Sequence, residues 1–541
     1  MTNTNAPVVM TTHGAVRGRR EEHATVFRHI PYAAPPRGAA RFAPPEPHPP
    51  WDGVRDATVA GPTAPQPRRD AFGHLDMSPY FGQGWVRGED YLAVNVWTPD
   101  TTRDDLPVMV FVHGGGFVAG STRSELYDGT AFARDGVVLV TLTYRLGVPG
   151  FLHLPDAPDN RGLLDVIAAL RWVGENIAAF GGDRSRVTLF GQSAGATIVG
   201  AVVADPRAEG LLQRAIIQSG SGLGAFTPAQ ADRVTRALAQ VLGTAPTAEA
   251  LAQVPDERFV EAMPRLAGID LTVDGHVDPL IGLSAFSLVL DQQPAEAVAT
   301  GRGAGVDLLL GTTAEEGNLY LAPVGHLTSS TEEDVLAAAA RSHPAPEQLV
   351  EVYRQERPGA SAGRLRSAIM TDALFGAGTR RLAAAHARHP SSGTHVYEFA
   401  WRSEALDGRL GAAHVVELPF VFDRTGLPGL RGPQAILGPA EPPADLASRV
   451  HATWIRFART GDPGWPRYDS THRTTMRIAR TWTRVADPAP GYGWPGSKGS
   501  TGSALTRRRP SAAPSRTVRT PSVLRNGWGC ARAVFFAPAR A

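Results

Sequence analysis

The sequence contains a single cysteine, Cys530, among its 541 residues. One thiol cannot form an internal disulfide bond, and it cannot supply the several ligands of a multi-cysteine metal site. Lysine is equally scarce, because Lys498 is the only lysine among the 54 basic residues. We attribute this preference for arginine to codon bias in a GC-rich genome, so it carries no information about mechanism.

Long apolar runs are also missing from the sequence. No window approaches the ~18 uninterrupted apolar residues that a membrane-spanning helix requires. The N-terminal sequence MTNTNAPVVMTTHG has neither the basic start nor the apolar stretch of a secretory signal peptide. We therefore expect a cytoplasmic protein that does not associate with a membrane.

Charge of one sign is concentrated at the C-terminus. Residues 488–541 contain nine basic residues and no acidic one, which leaves −7 for residues 1–487 within a net charge of +2 for the chain. A mildly acidic body argues against a nucleic-acid surface. The tail is rich in Pro, Ser, Thr, Arg and Gly, and we expect it to be disordered. It resembles a reading frame translated out of register, and a basic docking tail is the functional alternative.

The sequence does contain a regular alternation of apolar, β-rich runs with helical patterns. Such continuous runs are typical of strands that are buried on both faces of a sheet. The runs are Leu92–Pro99, Leu106–Gly116, Val137–Gly147, Arg186–Gly191, Arg214–Gly220 and Val306–Gly317. Between the third and the fourth, Leu163–Phe180 carries apolar residues at helical spacing. Strands that alternate with helices predict a mostly parallel sheet with helices on both faces.

Two segments interrupt this alternation, at about residues 227–293 and 327–382. The first begins with Thr227 as a helix N-cap and Pro228 at the first helical position. The second is also helical and has a polar face. We expect both segments to be insertions above the sheet, where they would form the wall of a pocket. Residues 1–487 are accordingly predicted to form a single domain, followed by the tail at 488–541.

The sequence GQSAG, Gly191–Gly195, lies where an apolar strand ends and a small-residue helix begins. A sharp strand-to-helix turn exposes the hydroxyl of the serine and strains its backbone. Side chains at both flanking positions would collide with neighbouring backbone, which accounts for the two glycines. Ser193 is therefore a candidate nucleophile near a helix N-terminus, where unpaired N–H groups favour negative charge. The alternative is a small-residue turn in which Ser193 only caps the helix.

Three consecutive glycines follow the strand PVMVFV, within the sequence HGGGF at His113–Phe117. Glycines allow peptide N–H groups to approach a bound carbonyl oxygen closely. In acyl transfer, each N–H group that faces the developing charge on this oxygen contributes ~3–4 kcal/mol to lowering the barrier. We predict an oxyanion hole formed by the N–H groups of Gly115, Gly116 and Ala194, the residue after the nucleophile. The alternative is a flexible glycine loop.

These motifs resemble those of the type-B carboxylesterase and cholinesterase family within the α/β-hydrolases. Phe180–Gly195 fits the family signature around the nucleophile, and Glu89–Pro99 fits the second signature except at Tyr91, where the family usually has cysteine. The resemblance extends over about residues 8–487. It implies an α/β-hydrolase fold, in which a large, mostly parallel sheet is flanked by helices and helical insertions form the pocket wall. The missing cysteine implies that the early disulfide of the family is absent.

The resemblance also implies the partners of Ser193 in a catalytic triad. A serine at its ordinary pKa needs a base, and the base needs an orienting acid. The family pattern puts the acid at Glu316, with Glu315 as the alternative, and the base at His414. Ser219, in the segment QSG, matches a family serine that hydrogen-bonds near the acid, so we expect a supporting role there.

The sequence thus predicts a serine carboxylesterase that hydrolyses small-molecule esters through an acyl-enzyme intermediate, without a metal or cofactor. Gln192 stands where cholinesterases carry a glutamate, which argues against a dedicated cationic choline substrate. His113 is expected to be structural and not a second base. Two other functions stay open: a catalytically silent family member that acts as a binding module, and an acyltransferase that uses the same site.

Overall fold

One large sheet organises residues 6–391 and 393–487, which the computed structural model describes. The predictions for Cys530 and for the tail at 488–541 lie outside the described residues. The strands are β1 (Val8–Thr11), β2 (Gly14–Arg17), β3 (Arg19–Arg20), β4 (Thr25–Pro31), β5 (Val54–Asp56), β6 (Ala71–Phe72), β7 (Leu75–Asp76), β8 (Ala93–Thr98), β9 (Leu106–Val112), β10 (Val138–Leu142), β11 (Gly182–Gln192), β12 (Arg214–Gln218), β13 (Asp307–Thr313), β14 (Thr394–Phe399), β15 (Thr474–Ile478) and β16 (Thr483–Ala486).

Helices fill most of the chain between the strands. The α-helices are α1 (Ser78–Phe81), α2 (Thr130–Arg134), α3 (Gly147–Phe151), α4 (Arg161–Asn176), α5 (Ala194–Ala204), α6 (Pro228–Leu242), α7 (Ala248–Ala252), α8 (Asp256–Ala262), α9 (Pro294–Ala299), α10 (Asn318–Leu321), α11 (His326–Ser329), α12 (Glu332–Ser342), α13 (Pro346–Glu356), α14 (Ala362–Thr371), α15 (Ala377–His386), α16 (Leu418–Val421) and α17 (Leu446–Thr460). A π-helical turn, Asp372–Gly376, joins α14 to α15. Within the described part of the chain, no helix is both long enough and apolar enough to span a membrane.

The order of strands across the central sheet is β16-β15-β14-β13-β12-β11-β9-β10-β8-β4-β3. Neighbouring strands from β15 to β10 all pair in parallel. The strands at the two edges, β16 on one side and β8, β4 and β3 on the other, pair in antiparallel fashion. The predicted mostly parallel sheet is therefore confirmed.

The central strands are buried on both faces, as their continuous apolar runs predicted. Every residue of β9 is buried, and β9 pairs with β10 on one side and with β11 on the other. Because side chains alternate along a strand, Val108, Val110 and Val112 belong to one core cluster, which includes residues of α4 and α5. Met109 and Phe111 belong to a second cluster, which includes residues of α17. The sheet thus separates two apolar layers.

The first helix of the segment at about 227–293 begins as its sequence predicted. Thr227 is the N-cap of α6, and its side chain accepts a hydrogen bond from the backbone N–H of Gln230. The side chain of Gln230 accepts one from the backbone N–H of Thr227 at 3.0 Å, which completes a capping box. Pro228 occupies the first turn, where its missing N–H is not needed.

A buried ion pair connects the segment after β10 to α4. The side chains of Arg145 and Asp165 are both 0% exposed, and Nη2 of Arg145 lies 2.7 Å from Oδ1 of Asp165. The backbone N–H of Arg145 also donates to Oδ2 of Asp165 at 2.9 Å. The second terminal nitrogen of the guanidinium, Nη1, donates to the carbonyl of Ala43 at 2.6 Å. The pair therefore ties the N-terminal segment, the sheet and a helix together.

We expect Asp165→Ala to lower the free energy of unfolding by about 3–5 kcal/mol, because it leaves the buried guanidinium without its counter-charge. The matched control is Asp232→Ala, which removes an exposed carboxylate from its i,i+4 pair with Arg236. Such a surface pair contributes less than about 1 kcal/mol. Thermal unfolding followed by circular dichroism measures both changes, and equal shifts in the two variants would contradict the prediction.

Candidate active site

The nucleophile candidate lies on a strained turn between β11 and α5. Ser193 has φ 60° and ψ −126°, a backbone conformation that residues with a side chain rarely adopt. A Cβ atom on Gly195 would lie 2.2 Å from the carbonyl oxygen of Val112 and 2.5 Å from that of His113. A Cβ atom on Gly191 would lie 2.8 Å from the carbonyl carbon of Gly195. The collisions expected at both flanking positions are thus found in the structure.

Ser193, His414 and Glu316 meet in a chain of hydrogen bonds. Oγ of Ser193 lies 2.8 Å from Nε2 of His414, and Nδ1 of His414 lies 2.5 Å from Oε2 of Glu316. Because a carboxylate only accepts, Nδ1–H donates to Glu316 and Nε2 accepts from the serine hydroxyl. The three residues follow β11, β13 and β14, whose parallel carboxyl ends lie at one edge of the sheet.

Two further donors hold the carboxylate of Glu316, which is fully buried. The hydroxyl of Ser219 donates to Oε1 at 2.6 Å, and the backbone N–H of Thr313 donates to the same atom at 2.7 Å. Both oxygens of the carboxylate are therefore engaged, and its rotation is restricted. Ser219 has the contact that the sequence predicted for it.

Glu315, the alternative acid, points to other partners. Its carboxylate forms ion pairs with Arg402 and with Arg364, and it accepts a hydrogen bond from the backbone N–H of Ala412 at 2.9 Å. These contacts account for the two adjacent glutamates. Glu316 contacts His414, whereas Glu315 anchors the segment that carries His414.

The glycine loop after β9 lies beside the nucleophile. Gly115 and Gly116 have φ angles of 116° and 64°, and a Cβ atom on Gly115 would lie 2.0 Å from the carbonyl oxygen of Ala119. Both glycines line a cavity together with Ser193 and Ala194. Within the described residues, the N–H groups of Gly115, Gly116 and Ala194 donate to no backbone carbonyl. All three predicted donors therefore surround the same space.

His113 supports this loop from the protein interior. Its Nδ1 donates to the carbonyl of Gly114 at 2.9 Å, and its ring stacks on Tyr144 at 4.6 Å between centroids. Burial lowers the pKa of His113 to about 4, so the ring is neutral at neutral pH. The contacts favour the expected structural role over that of a second base.

The cavity above Ser193 has mainly apolar walls. Leu280 and Leu283 come from the first predicted insertion, and Leu374 and Phe375 come from the second. Other aromatic walls come from the N-terminal part of the chain and from the loop after β9: Phe72, Phe81 and Phe117. Residues of both expected insertions therefore contribute to the pocket wall, Leu374 and Phe375 from a π-helical turn and Leu280 and Leu283 from non-helical segments.

Two contacts of His414 were not predicted from the sequence. The ring of Phe375 stacks on the imidazole, with centroids 4.5 Å apart and planes at 6°. The side-chain amide nitrogen of Gln192 lies 3.2 Å from Nε2 of His414. Phe375 lies in the π-helical turn, a feature that often occurs at functional sites. No local sequence pattern could have indicated it, whereas Gln192 is adjacent to the nucleophile in the sequence.

A second buried carboxyl group lies behind the triad. Glu417 accepts a hydrogen bond from the side-chain amide of Gln218 at 3.4 Å, and Gln218 accepts one from Nε1 of Trp454 at 3.2 Å. Burial, together with the negative charge of Glu316, raises the pKa of Glu417 to about 8. Glu417 is therefore mainly protonated at neutral pH, and it adds no second negative charge next to Glu316.

The fold and the site together define an α/β-hydrolase, with a serine on a strand-to-helix turn and with its glutamate and histidine partners following in the chain order of that fold. The sequence profile of the Carboxylesterase family matches residues 5–489. The chain belongs to this family and is a carboxylic-ester hydrolase.

Several relatives are similar to this chain over most of their length. The chain is 36% identical over 500 residues to the para-nitrobenzyl esterase of Bacillus subtilis (strain 168), which covers 89% of this chain and 96% of the relative. It is 34% identical over 506 residues to the phenmedipham hydrolase of Pseudarthrobacter oxydans, with the same two coverages. Human carboxylesterase 3 is 34% identical over 502 residues, which cover 86% of each chain.

Solved structures give the same result for the fold. A structure of PNB esterase superimposes with a TM-score of 0.76 at 35% identity and covers 89% of this chain and 98% of its own. The carboxylesterase EST55 of Geobacillus stearothermophilus gives the same TM-score, identity and coverages. The chain thus has the same fold as these solved structures.

The close backbone contact at Gly195 generates a test of the turn. We expect Gly195→Ala to lower the free energy of unfolding by about 1–3 kcal/mol or more, because the new methyl group overlaps backbone that cannot move away. In the same helix, a Cβ atom on Gly200 would make only ordinary contacts, at 3.7 Å and 3.8 Å. Gly200→Ala should therefore stabilise the protein by about 0.5–1 kcal/mol. Thermal midpoints of the two variants should move in opposite directions, and shifts of the same sign would refute this account.

The raised pKa of Glu417 predicts a pH-dependent contribution to stability. The folded protein keeps the proton up to a pH of about 8, whereas an unfolded glutamate loses it near its ordinary pKa of ~4.3. Unfolding therefore releases a proton between these values, and stability from this group falls as the pH rises. Glu417→Gln lacks this titration. The thermal midpoint of the variant should therefore rise relative to that of the wild type as the pH increases from 5 to 8. A difference that is constant across this range would show that Glu417 does not titrate there.

Proposed function

We propose that Ser193, His414 and Glu316 are the catalytic triad of this carboxylic-ester hydrolase. The observation that carries the proposal is the continuous hydrogen-bond chain, 2.8 Å from Ser193 to His414 and 2.5 Å from His414 to Glu316. The first distance lies within the range over which a base accepts the proton of its nucleophile. Glu316 fixes the imidazole with Nδ1 protonated, so that Nε2 is the basic nitrogen.

Acylation begins when Oγ of Ser193 attacks the carbonyl carbon of the ester. Nε2 of His414 takes the hydroxyl proton as the new carbon–oxygen bond forms. The electron pair of the carbonyl double bond moves to its oxygen, which then faces the N–H groups of Gly115, Gly116 and Ala194 as the proposed oxyanion hole. The carboxylate of Glu316 stabilises the imidazolium formed in this step.

The tetrahedral intermediate collapses when its bond to the alcohol oxygen breaks. His414 returns the proton from Nε2 to this oxygen, and the alcohol leaves while the acyl group stays on Ser193. A water molecule then attacks the acyl carbon of the acyl-enzyme, and Nε2 of His414 takes a proton from the water. The oxyanion of this second tetrahedral intermediate faces the same proposed oxyanion hole. When that intermediate collapses, the bond from the acyl carbon to Oγ of Ser193 breaks, His414 returns its proton to Oγ, and the carboxylic acid leaves.

We propose that the substrates are esters with apolar acyl or aromatic groups. The walls around Ser193 are mainly aliphatic and aromatic, with Phe81, Phe117 and Leu374 as examples. Burial of such groups is favourable by about 25 cal/mol per Å² of apolar surface. The name of the relative from Bacillus subtilis refers to para-nitrobenzyl esters, and this class of ester is a suitable first substrate.

We also propose that residues 1–487 form a single domain, with insertions at about 227–293 and 327–382. The support is one sheet whose strands β12 and β13 flank the first insertion and whose strands β13 and β14 flank the second. A cytoplasmic location stays a prediction from the N-terminal sequence.

We expect Ser193→Ala to lower kcat for para-nitrophenyl esters by roughly 10⁴–10⁶-fold, because the nucleophile is lost. The matched control is Ser287→Ala, which removes another buried hydroxyl, one that donates to the carbonyl of Gly224 at 2.6 Å. The control should keep its turnover, and only proteins with Ser193 should be labelled by a fluorophosphonate. Turnover in folded Ser193→Ala protein at the wild-type level would refute the assignment.

A chain-length series of para-nitrophenyl esters tests the substrate class. Each methylene buried against the apolar walls contributes about 0.8 kcal/mol, so kcat/KM should rise about threefold to fourfold per methylene from acetate to hexanoate. A series that falls with chain length would contradict an apolar acyl site. Addition of a competing alcohol, with analysis of the products, separates hydrolysis from acyl transfer.

A further inference from the structure

Side chains hold three consecutive carbonyl groups of the glycine loop. The hydrogen bonds are His113 Nδ1 to the carbonyl of Gly114 at 2.9 Å, Arg69 Nη1 to that of Gly115 at 2.9 Å, and Ser284 Oγ to that of Gly116 at 2.8 Å. The donors come from three separate parts of the chain. Arg69 and Ser284 also line the cavity that contains Ser193.

The orientation of each carbonyl determines that of the next N–H group. In a trans peptide, the C=O and the N–H of one peptide unit point in opposite directions. The carbonyl of Gly115 belongs to the same peptide unit as the N–H of Gly116. The hydrogen bond from Arg69 therefore directs the N–H of Gly116, one of the proposed oxyanion donors.

Glycines make such a constraint necessary. Gly115 and Gly116 have φ angles of 116° and 64°, and glycine backbone has access to many other conformations. The carbonyl of Gly115 also accepts from the backbone N–H groups of Val118 and Ala119, each at 3.2 Å. The bond from Arg69 is shorter, and a charged donor makes it roughly twice as strong as a neutral one. Arg69 is thus the strongest of these three donors to this carbonyl.

The guanidinium of Arg69 is itself held in place. The side chain is buried, and its Cζ atom lies 5.7 Å from the ring centroid of Phe72 and 5.9 Å from that of Phe81. At these distances the aromatic rings attract a cation. The donor is therefore fixed before a substrate arrives.

We propose that Arg69 is a positioning residue for ester hydrolysis, which holds the Gly115 carbonyl so that the Gly116 N–H faces the developing oxyanion. The inference rests on the proposed function of the glycine loop. As the bond from Ser193 Oγ to the carbonyl carbon forms, the electron pair moves to the carbonyl oxygen, and the N–H of Gly116 donates to it. This donor matters more for the charged oxygen than for the neutral ester, so loss of Arg69 should affect kcat more than KM.

A cation in the cavity wall has one competing role, which is to bind a carboxylate group on the substrate. That role would change KM, and it would do so only for esters that carry a negative charge. The positioning role changes kcat for neutral esters. The two roles therefore differ in a measurable way.

The experiment compares Arg69→Met with the wild type and with Arg123→Met. Arg123 also donates from Nη1 to backbone carbonyls, those of Ala60 and Gly61, both at 2.9 Å, but among the described residues it is not one of those that line the cavity of the proposed site. We measure kcat and KM for a neutral para-nitrophenyl ester and for one with a terminal carboxylate. We also measure Ki for an alkyl trifluoromethyl ketone and for the corresponding alcohol. Oγ of Ser193 adds to the carbonyl carbon of the ketone and forms an oxyanion, whereas the alcohol has no carbonyl group and forms none.

We expect Arg69→Met to lower kcat for the neutral ester about 10–100-fold, because a displaced donor no longer fits the transition state. KM should stay within about threefold of the wild type. Ki of the ketone should rise by the same factor as kcat/KM falls, while Ki of the alcohol stays unchanged. Arg69→Lys, which keeps a charged donor, should restore part of the loss, and Arg123→Met should match the wild type.

Wild-type kcat and ketone affinity in folded Arg69→Met protein would overturn the proposal. So would a loss confined to KM of the carboxylate-bearing ester, which would indicate substrate binding. Should the methionine variant unfold, Arg69→Gln decides by the same criteria, because its amide is too short to reach the Gly115 carbonyl. Failure of the wild type to hydrolyse esters, or activity that does not depend on Ser193, would instead refute the proposed function.

Discussion

The contact between two backbone segments is the constraint on which the site depends. The turn at Ser193 packs directly on the end of β9, so closely that a methyl group on Gly195 would overlap the carbonyl oxygens of Val112 and His113. A methyl group on Gly114 would likewise lie 2.8 Å from the carbonyl oxygen of Gln192. Because both segments are locked together without side chains between them, the nucleophile and the predicted oxyanion donors keep a fixed separation. Preorganised dipoles of this kind need no rearrangement when charge develops.

The histidine depends on side chains and not on backbone contacts. Glu316 holds Nδ1 of His414 from one end, and the ring of Phe375 lies flat against the imidazole. Glu316 is held in turn by Ser219 and by the backbone of Thr313. The carboxyl group of Glu417 lies behind it, and its raised pKa keeps a second negative charge away from the acid. The orientation of the base is therefore the result of buried polar contacts that surround the acid.

The sheet and the cavity walls come from different parts of the chain. The parallel sheet brings the ends of β9, β11, β13 and β14 to one edge, where Ser193, His414 and Glu316 form one chain of hydrogen bonds. The walls come from the insertions and from the N-terminal segment, which supply Leu283, Leu374 and Phe72. Substrate preference can therefore change through the walls while the hydrogen-bond chain stays intact. Arg69 belongs to a wall segment, yet it contacts the glycine loop, and so it links the two parts.

The sequence by itself determined the strand and helix alternation, the turn at Ser193 and the glycine loop, because each depends on local backbone geometry. Family resemblance indicated Glu316 as the acid and His414 as the base, with Glu315 as an alternative acid. The alternative stayed open because a sequence does not show which of two adjacent glutamates contacts the histidine. Only the tertiary structure distinguishes their contacts: Glu316 contacts His414, whereas Glu315 forms ion pairs with Arg402 and Arg364. The contacts of Phe375, Glu417 and Arg69 could not be predicted from the sequence either, because they join residues that are far apart in the chain and no local pattern indicates them. Local rules specify which conformations a segment prefers, whereas packing decides which distant side chains share one buried space.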